Sequence, residues 1–187
     1  LQAMATEFGA FGGEWFQIDD GYEGAYGDWD WRTDRFPDGA AWMAQQIAGR
    51  GLLPGLWIAP FQVDEGSATY AAHAGDGWFA ARLPLVAGDK PILDLTHPEA
   101  LAWLTDRFQT IRGDGYRWVK TDFTYWALGA AAFRDPTATR EEAYRRGLAA
   151  IRDGLAAGAT AAGGEPGDVF WLGVSMLGPH VGYVDSL

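Results

Sequence analysis

Cysteine is missing altogether from the 187 residues, which excludes disulfides and thiolate metal ligands and leaves the compartment open. Basic residues are scarce: 14 Lys and Arg stand against 25 Asp and Glu, for a formal net charge of -11 and a pI of about 4.5. Recognition of a nucleic-acid backbone needs clustered cations, so nucleic acid is excluded as a partner, and an anionic membrane surface is disfavoured equally. No apolar run is long enough for a membrane span. Internal repeats, linkers and low-complexity tracts are also missing, and the chain reads as one domain. Ser175 has neither a nucleophile elbow nor a paired histidine, which argues against serine hydrolase chemistry.

What is present is globular: 48% hydrophobic and 21% charged residues. Ten tryptophans and seven tyrosines supply many flat apolar faces with a polar edge, suited to a filled core or to sugar stacking. The chain begins on Leu1 and ends on Leu187 with no polar tail, and it reads as an internal piece of a larger protein.

Helix and strand signals alternate. Leu1, Met4, Ala5 and Phe8 have helical spacing up to Gly12-Gly13, and Glu14 to Asp19 reads as a strand. Asp38 is placed to cap a helix from Ala40 to Ala48 that buries Trp42 and Ile47. Leu52 to Ala59 reads as a second strand, despite Pro54 and Gly55. Thr96 and Glu99 are spaced as a capping box before a helix that buries Leu101, Leu104, Phe108 and Ile111. That helix leads into a strand from Arg117 to Thr121. Thr139 and Glu142 form a second box, ahead of a helix with Tyr144, Leu148, Ile151 and Leu155 on one face. Val169 to Val174 is a further strand. Strands separated by helices predict a parallel α/β sheet. Phe61 to Asp94 is longer than connections usually are, and a loop of that kind builds pockets.

Two of these strands end on charge. Trp118-Val119-Lys120-Thr121-Asp122 is an apolar run closing on a lysine and a carboxylate, and Trp15-Phe16-Gln17-Ile18 runs into Asp19-Asp20-Gly21. In a (β/α)8 barrel the strand C-termini form the active-site face, so two acidic tips predict one pocket. Lys120 and Asp122 are two residues apart and share a strand face, where the ammonium favours an ionised carboxylate. That suits a nucleophile, and a strand-end salt bridge explains the spacing equally well. Asp19 and Asp20 point to opposite faces of a regular strand, and a bend at Gly21 would turn both toward a ligand. Binding of Mg²⁺ by Asp19, Asp20 and Asp122 ranks lower, because Lys120 would set a like charge beside the ion. Trp29, Trp31 and Trp57 lie at or beyond strand tips, whereas Trp42, Trp103 and Trp171 fit cores. His73, His97 and His180 have no ligand spacing, and His97 is expected to be exposed in a helix's first turn.

These residues resemble the melibiase-type α-galactosidases among the retaining glycoside hydrolases. The matching strings, in order, are Phe16-Gln17-Ile18-Asp19-Asp20-Gly21-Tyr22, Gly27-Asp28-Trp29, Phe36-Pro37-Asp38-Gly39 and Gly51-Leu52 with Pro54-Gly55-Leu56-Trp57-Ile58-Ala59-Pro60. Leu93-Asp94-Leu95-Thr96-His97-Pro98, Val119-Lys120-Thr121-Asp122-Phe123 and the Thr139-Arg140 to Ile151-Arg152 helix follow. The resemblance implies a (β/α)8 barrel, here incomplete because such barrels need about 250 residues. Its first strand and its C-terminal strands would lie outside a partial catalytic domain that fills residues 1–187. It implies removal of terminal α-linked galactose with retention, without metal or organic cofactor. Asp122 is cast as the nucleophile, Asp19 and Asp20 as ligands of the sugar's C4 and C6 hydroxyls, and Lys120 as a partner of neighbouring hydroxyls. Trp57 would line the sugar subsite, and Trp29 a nearby loop wall. The implied acid/base is an Asp in an Arg-Ile string beyond Leu187, which leaves this stretch inactive alone. Asp185 matches a different position of the family pattern. Where the family often has a cysteine-glycine pair, this chain has Gly173-Val174 followed by Ser175-Met176, a departure at the sugar site. A transglycosylase or other α-glycosidase, a non-catalytic carbohydrate binder and a divalent-metal α/β enzyme are the alternative readings. The expected partner is an α-galactoside oligosaccharide, and an oligomer is possible in the full-length protein.

Overall fold

The computed structural model describes residues 2–82, 90–174 and 178–187. In chain order the elements are α1 (Gln2–Ala10), β1 (Trp15–Ile18), α2 (Gly39–Ala48), β2 (Leu53–Ile58), α3 (Ala68–His73) and β3 (Ala81–Arg82). They continue with α4 (Pro98–Gly113), β4 (Trp118–Thr121), β5 (Ala130–Ala132), α5 (Arg140–Ala161) and β6 (Phe170–Gly173). β1, β2, β4 and β6 form one sheet in that order, every pair parallel, while β3 and β5 make a small antiparallel ribbon. A four-stranded parallel sheet with crossover helices is the predicted α/β class, and it is consistent with an arc of a (β/α)8 barrel.

The two faces of the sheet differ. Leu56, Ile58, Val119, Thr121 and Trp171 are buried on one face, and α4 and α5 belong to the same core as those side chains. The alternate residues Trp15, Gln17, Trp118, Lys120, Phe170 and Leu172 are half-buried. Trp15, Trp118 and Phe170 pack together on that second face, with ring centroids 4.8 to 6.2 Å apart. Parallel strands usually read as continuous apolar runs because both faces are covered. The half-open face is where Gln17 and Lys120 interrupt the apolar pattern.

α4 and α5 pack unusually close. Gly154 and Gly158 fall on one face of α5, and a Cβ at these positions would come within 2.3 Å of the Thr105 carbonyl oxygen and 2.5 Å of that of Gln109. The Thr105 hydroxyl donates across the contact to the Ala150 carbonyl at 3.2 Å. The predicted Thr139–Glu142 capping box is present, with both reciprocal bonds.

Other expectations need correction. Thr96 does not cap α4: its hydroxyl donates to Asp94 at 2.6 Å, and the N-cap is His97, which makes no side-chain cap bond. His97 is buried rather than exposed, because its ring faces Trp78 at 6.1 Å. Trp42 is exposed, not core: α2 turns Ala44 and Ile47 inward, and a residue two positions before Ala44 lies on the opposite side of the helix. Asp38 stands at the N-cap of α2 without a side-chain cap bond. α1 forms at the predicted spacing yet buries none of its residues.

The long connection between β2 and α4 has a core of its own, with Phe61, Val63, Trp78, Ile92 and Leu93 buried. Asp28 holds it to the β1 side: its carboxylate accepts from the Ala68 and Thr69 amides at 3.0 and 2.9 Å. Burial would raise the Asp28 pKa, but these bonds win and lower it. Gly27 precedes it in the left-handed region, and a Cβ there would strike Val63 at 2.6 Å.

The close helix contact yields a prediction against intrinsic propensity. Alanine normally gains about 1 kcal/mol over glycine inside a helix, but Gly154→Ala forces α4 and α5 apart and should cost about 1–3 kcal/mol net. Gly9→Ala, with nothing within 4 Å of the new methyl, serves as the control. Urea midpoints at unchanged slope report both. A midpoint for Gly154→Ala at or above that of the parent protein would refute the close packing.

Candidate active site

β1, β2 and β4 deliver their charged and aromatic residues to one rim, the C-terminal edge of the sheet. The register explains why. Trp57 of β2 lies beside Lys120 of β4, and the Asp122 amide continues the ladder by donating to the Ile58 carbonyl at 2.9 Å. Asp19 follows Ile18, the partner of Leu56, so it falls level with Trp57. Lys120 Nζ lies 3.2 Å from Asp19 Oδ2 and 4.0 Å from Asp122 Oδ2. A single ammonium therefore sits between acids from two strands that are not neighbours in the sheet.

Each acid has further partners. Asp122 Oδ2 accepts from the Trp57 indole N–H at 3.1 Å, and Oδ1 accepts from the Phe123 amide at 2.8 Å. Its side chain keeps 17% of its exposure, so an oxygen can still meet a ligand. Asp19 accepts from the Gln17 amide, whose own oxygen accepts from Trp118 Nε1 at 2.8 Å. Asp20 Oδ2 accepts from the Tyr26 hydroxyl at 3.2 Å. Behind it, the buried Glu23 carboxylate accepts from the Gly21 amide and lies in hydrogen-bonding reach of Asp20. Burial first, and the bond with Asp20 second, raise the Glu23 pKa to about 7. Burial and the Asp20 charge also push the Tyr26 phenol upward, keeping it a hydrogen donor.

Aromatic rings back the acids. Tyr26 stacks on Trp29 at 5.0 Å and meets Trp57 at 5.8 Å, and Phe123 meets Trp57 edge-on at 6.1 Å. Trp29 and Phe123 are the only non-glycine residues with positive φ among those described, at 56° and 51°. Such a conformation costs about 1–3 kcal/mol each and clusters at functional sites. Lys90 pairs with Asp64 and sits 4.3 Å above the Tyr26 ring, and Asp64 also accepts from the Tyr26 amide at 2.9 Å.

The structure thus brings together Asp19, Lys120, Asp122 and Trp57, with Asp20 one residue along the same turn. Trp29 and Trp57 are both almost fully buried, so they support the rim from beneath instead of presenting an open wall. Trp31 is elsewhere: it packs on Tyr22, Phe36 and Tyr116, away from the acids. Asp185 is apart too, tied to the Trp171 amide at 2.8 Å. Ser175 and Met176 lie outside the described residues. Sequence reasoning missed Gln17, Glu23, Tyr26 and Phe123. Gln17 had a usable signal, a polar residue inside an otherwise apolar strand; Tyr26 had none, because only the loop's return brings it back to Asp20. Among the described residues, no three His, Asp or Glu side chains are grouped as a metal site. No helix among them is long and apolar enough to cross a membrane.

Comparison with known proteins agrees with this arrangement. Residues 1–155 match the family profile described as Melibiase. A probable α-galactosidase C from Aspergillus flavus is 26% identical over 173 residues, covering 83% of this chain and 22% of that protein. The myogenesis-regulating glycosidase of Mus musculus is 31% identical over 110 residues, 54% of this chain and 15% of its own length. Among solved structures, the α-galactosidase from Thermus thermophilus in complex with stachyose superposes with a TM-score of 0.77 at 30% identity. The match covers 99% of this chain and 38% of that one. The same enzyme in complex with p-nitrophenyl α-D-galactopyranoside gives 0.76. This chain therefore spans about a fifth of the curated relatives and under two-fifths of the structural one. With the profile matched over most of its length, the chain belongs to the Melibiase family.

Proposed function

We propose that residues 1–187 are part of the catalytic (β/α)8 barrel of a retaining α-galactosidase, carrying its nucleophile and most of its galactose site. The observation behind this reading is the single ammonium shared by Asp19 and Asp122, which gathers acids from separate strands within the width of one sugar ring.

In the proposed mechanism Asp122 attacks the anomeric carbon as the glycosidic bond breaks, giving a covalent glycosyl-enzyme through an oxocarbenium-like transition state. Lys120 and the Trp57 N–H favour the ionised carboxylate and hold it in place. One Asp122 oxygen is bound to both Trp57 and Lys120, the other to a backbone amide, so the nucleophile is preorganised before substrate arrives. Asp19 and Asp20 are assigned to the sugar's C4 and C6 hydroxyls, where carboxylates accept charge-assisted hydrogen bonds. Lys120 is assigned to a neighbouring hydroxyl, and Trp57 and Trp29 to the support of the subsite. The acid/base that protonates the departing oxygen, and later activates water, is assigned to an Asp beyond Leu187. The stretch alone is therefore proposed to be inactive, and the whole protein's substrate to be an α-galactoside, the ligand class in the Thermus thermophilus complexes.

Two measurements on the full-length enzyme test the assignment. Asp122→Asn should lower the release of p-nitrophenol from p-nitrophenyl α-galactoside at least about a thousandfold, and near-parental turnover would remove Asp122 from the role. Trp57→Phe keeps a ring but deletes the N–H on Asp122. It should lower kcat/KM about tenfold to a hundredfold, the worth of one hydrogen bond to a charged group. A change under about twofold would mean that Trp57 only fills space.

A further inference from the structure

We propose that Glu23 is a positioning residue that shares one proton with Asp20 and, together with Tyr26, fixes that carboxylate as the acceptor of the sugar's hydroxyls. The inference rests on the proposed galactoside site and adds a residue and a pH dependence to it.

Geometry carries the case. Glu23 is 7% exposed, an unusual place for a carboxyl facing no cation of its own. Its backbone is pinned by an antiparallel bridge to Trp31, and the neighbouring Gly24 amide donates to the Asp30 carbonyl at 3.1 Å. Its carboxylate folds back onto the Gly21 amide, with its two oxygens at 3.2 and 3.4 Å. That contact closes the turn between Asp20 and Glu23 around Gly21, whose φ of +101° only glycine adopts readily. The turn aims Asp20 away from β1, so its carboxylate meets the Tyr26 hydroxyl on one side and Glu23 on the other. Two carboxyls in contact in a buried site cannot both stay charged cheaply, and a shared proton removes the repulsion while adding a strong hydrogen bond.

The proton belongs on Glu23. It is the deeper of the two acids, and burial followed by the Asp20 bond raises its pKa to about 7. Asp20 stays on the ligand side, free to accept from sugar hydroxyls. The titratable groups around Glu23 are Asp20, Tyr22 and Tyr26 from its own loop, with Arg107 of α4 and Asp64 acting on those tyrosines from further away. Both phenols are pushed upward, chiefly by burial, so neither supplies an anion in the neutral range.

The sign follows. Below about pH 7 Glu23 is protonated and donates to Asp20; above it, two adjacent carboxylates repel and Asp20 leaves its place. Because Asp20 binds a hydroxyl and not the reacting carbon, the alkaline loss should be in KM and not in kcat.

The test uses the full-length enzyme and p-nitrophenyl α-galactoside, with kcat and KM measured separately across pH. In the parent protein KM should rise about tenfold on an alkaline limb with a midpoint near pH 7. Glu23→Gln retains a donor toward Asp20 and an acceptor for Gly21, cannot ionise, and should hold its KM within about threefold across that range. Glu23→Ala should show the high KM at every pH. A KM limb unchanged in Glu23→Gln, or no limb in the parent, overturns the inference. Infrared difference spectra provide a readout that needs no turnover. A protonated-carboxyl band should vanish between about pH 6 and pH 8 in the parent and be missing from Glu23→Gln. If the parent hydrolyses no α-galactoside but the band behaves so, the galactosidase reading fails while the shared proton stands. If hydrolysis is normal and the band does not titrate there, the shared proton fails alone.

Discussion

The rim is built around an ammonium that two acids share. Asp19 and Asp122 come from β1 and β4, with the whole of β2 between them in the sheet. Carboxylates drawn toward one small ligand repel one another, and the repulsion grows as solvent is excluded. Lys120, with 23% of its side chain exposed, stands where it offsets that repulsion for both. Its contribution to folding stability is small, since ion pairs with an exposed partner are worth about 0–1 kcal/mol. What it supplies is arrangement: with it, two anions can face a neutral sugar from the same side. Without it, one of them would have to take up a proton or turn away.

That arrangement depends on a sheet whose two faces do different jobs. α4 and α5 cover the first face through a contact so close that glycines are required in α5. The strands are thereby held from behind, and their other face is left to carry Gln17, Lys120 and the aromatic group Trp15, Trp118 and Phe170. Gln17 links the two functions of that face. It takes a hydrogen bond from Trp118 below and gives one to Asp19 above, so the position of the acid is tied to the packing of the strand beneath it.

Much of this was legible in the residue order. Parallel strands ending on charge, the spacing of Lys120 and Asp122 on one face, and the Thr139–Glu142 box all follow from periodicities of two and of 3.6 residues, which are local properties. The failures share a cause as well. Thr96 and Glu99 have the spacing of a capping box, but Thr96 is taken by Asp94 and by the Asp135 amide, partners that sequence distance hides. Trp42 and His97 were misplaced because burial depends on what packs against a helix, and not on the residue's own polarity. The candidate site was legible as a set of strand-end acids and illegible as a network, since Tyr26, Glu23 and Phe123 reach it only through turns with positive φ at Gly21, Trp29 and Phe123.

Those turns explain why buried tryptophans matter at a sugar site. Tyr26 donates to Asp20, its ring meets that of Trp57, and the Trp57 indole donates to Asp122. The acid that follows β1 and the acid that follows β4 are therefore joined twice, once by charge through Lys120 and Asp19 and once by packing through Tyr26 and Trp57. Charge alone cannot fix a distance, because an ammonium on a four-carbon stem tolerates many positions. Stacked rings can, since close packing resists displacements of a fraction of an ångström. Trp29 completes the wedge by stacking under Tyr26 with its backbone in a strained conformation, and its indole N–H is buried without a partner. A residue that leaves a donor unsatisfied and adopts positive φ is costly for the fold. That cost is understandable where the return is a fixed spacing between the hydroxyl-binding carboxylates and the nucleophile.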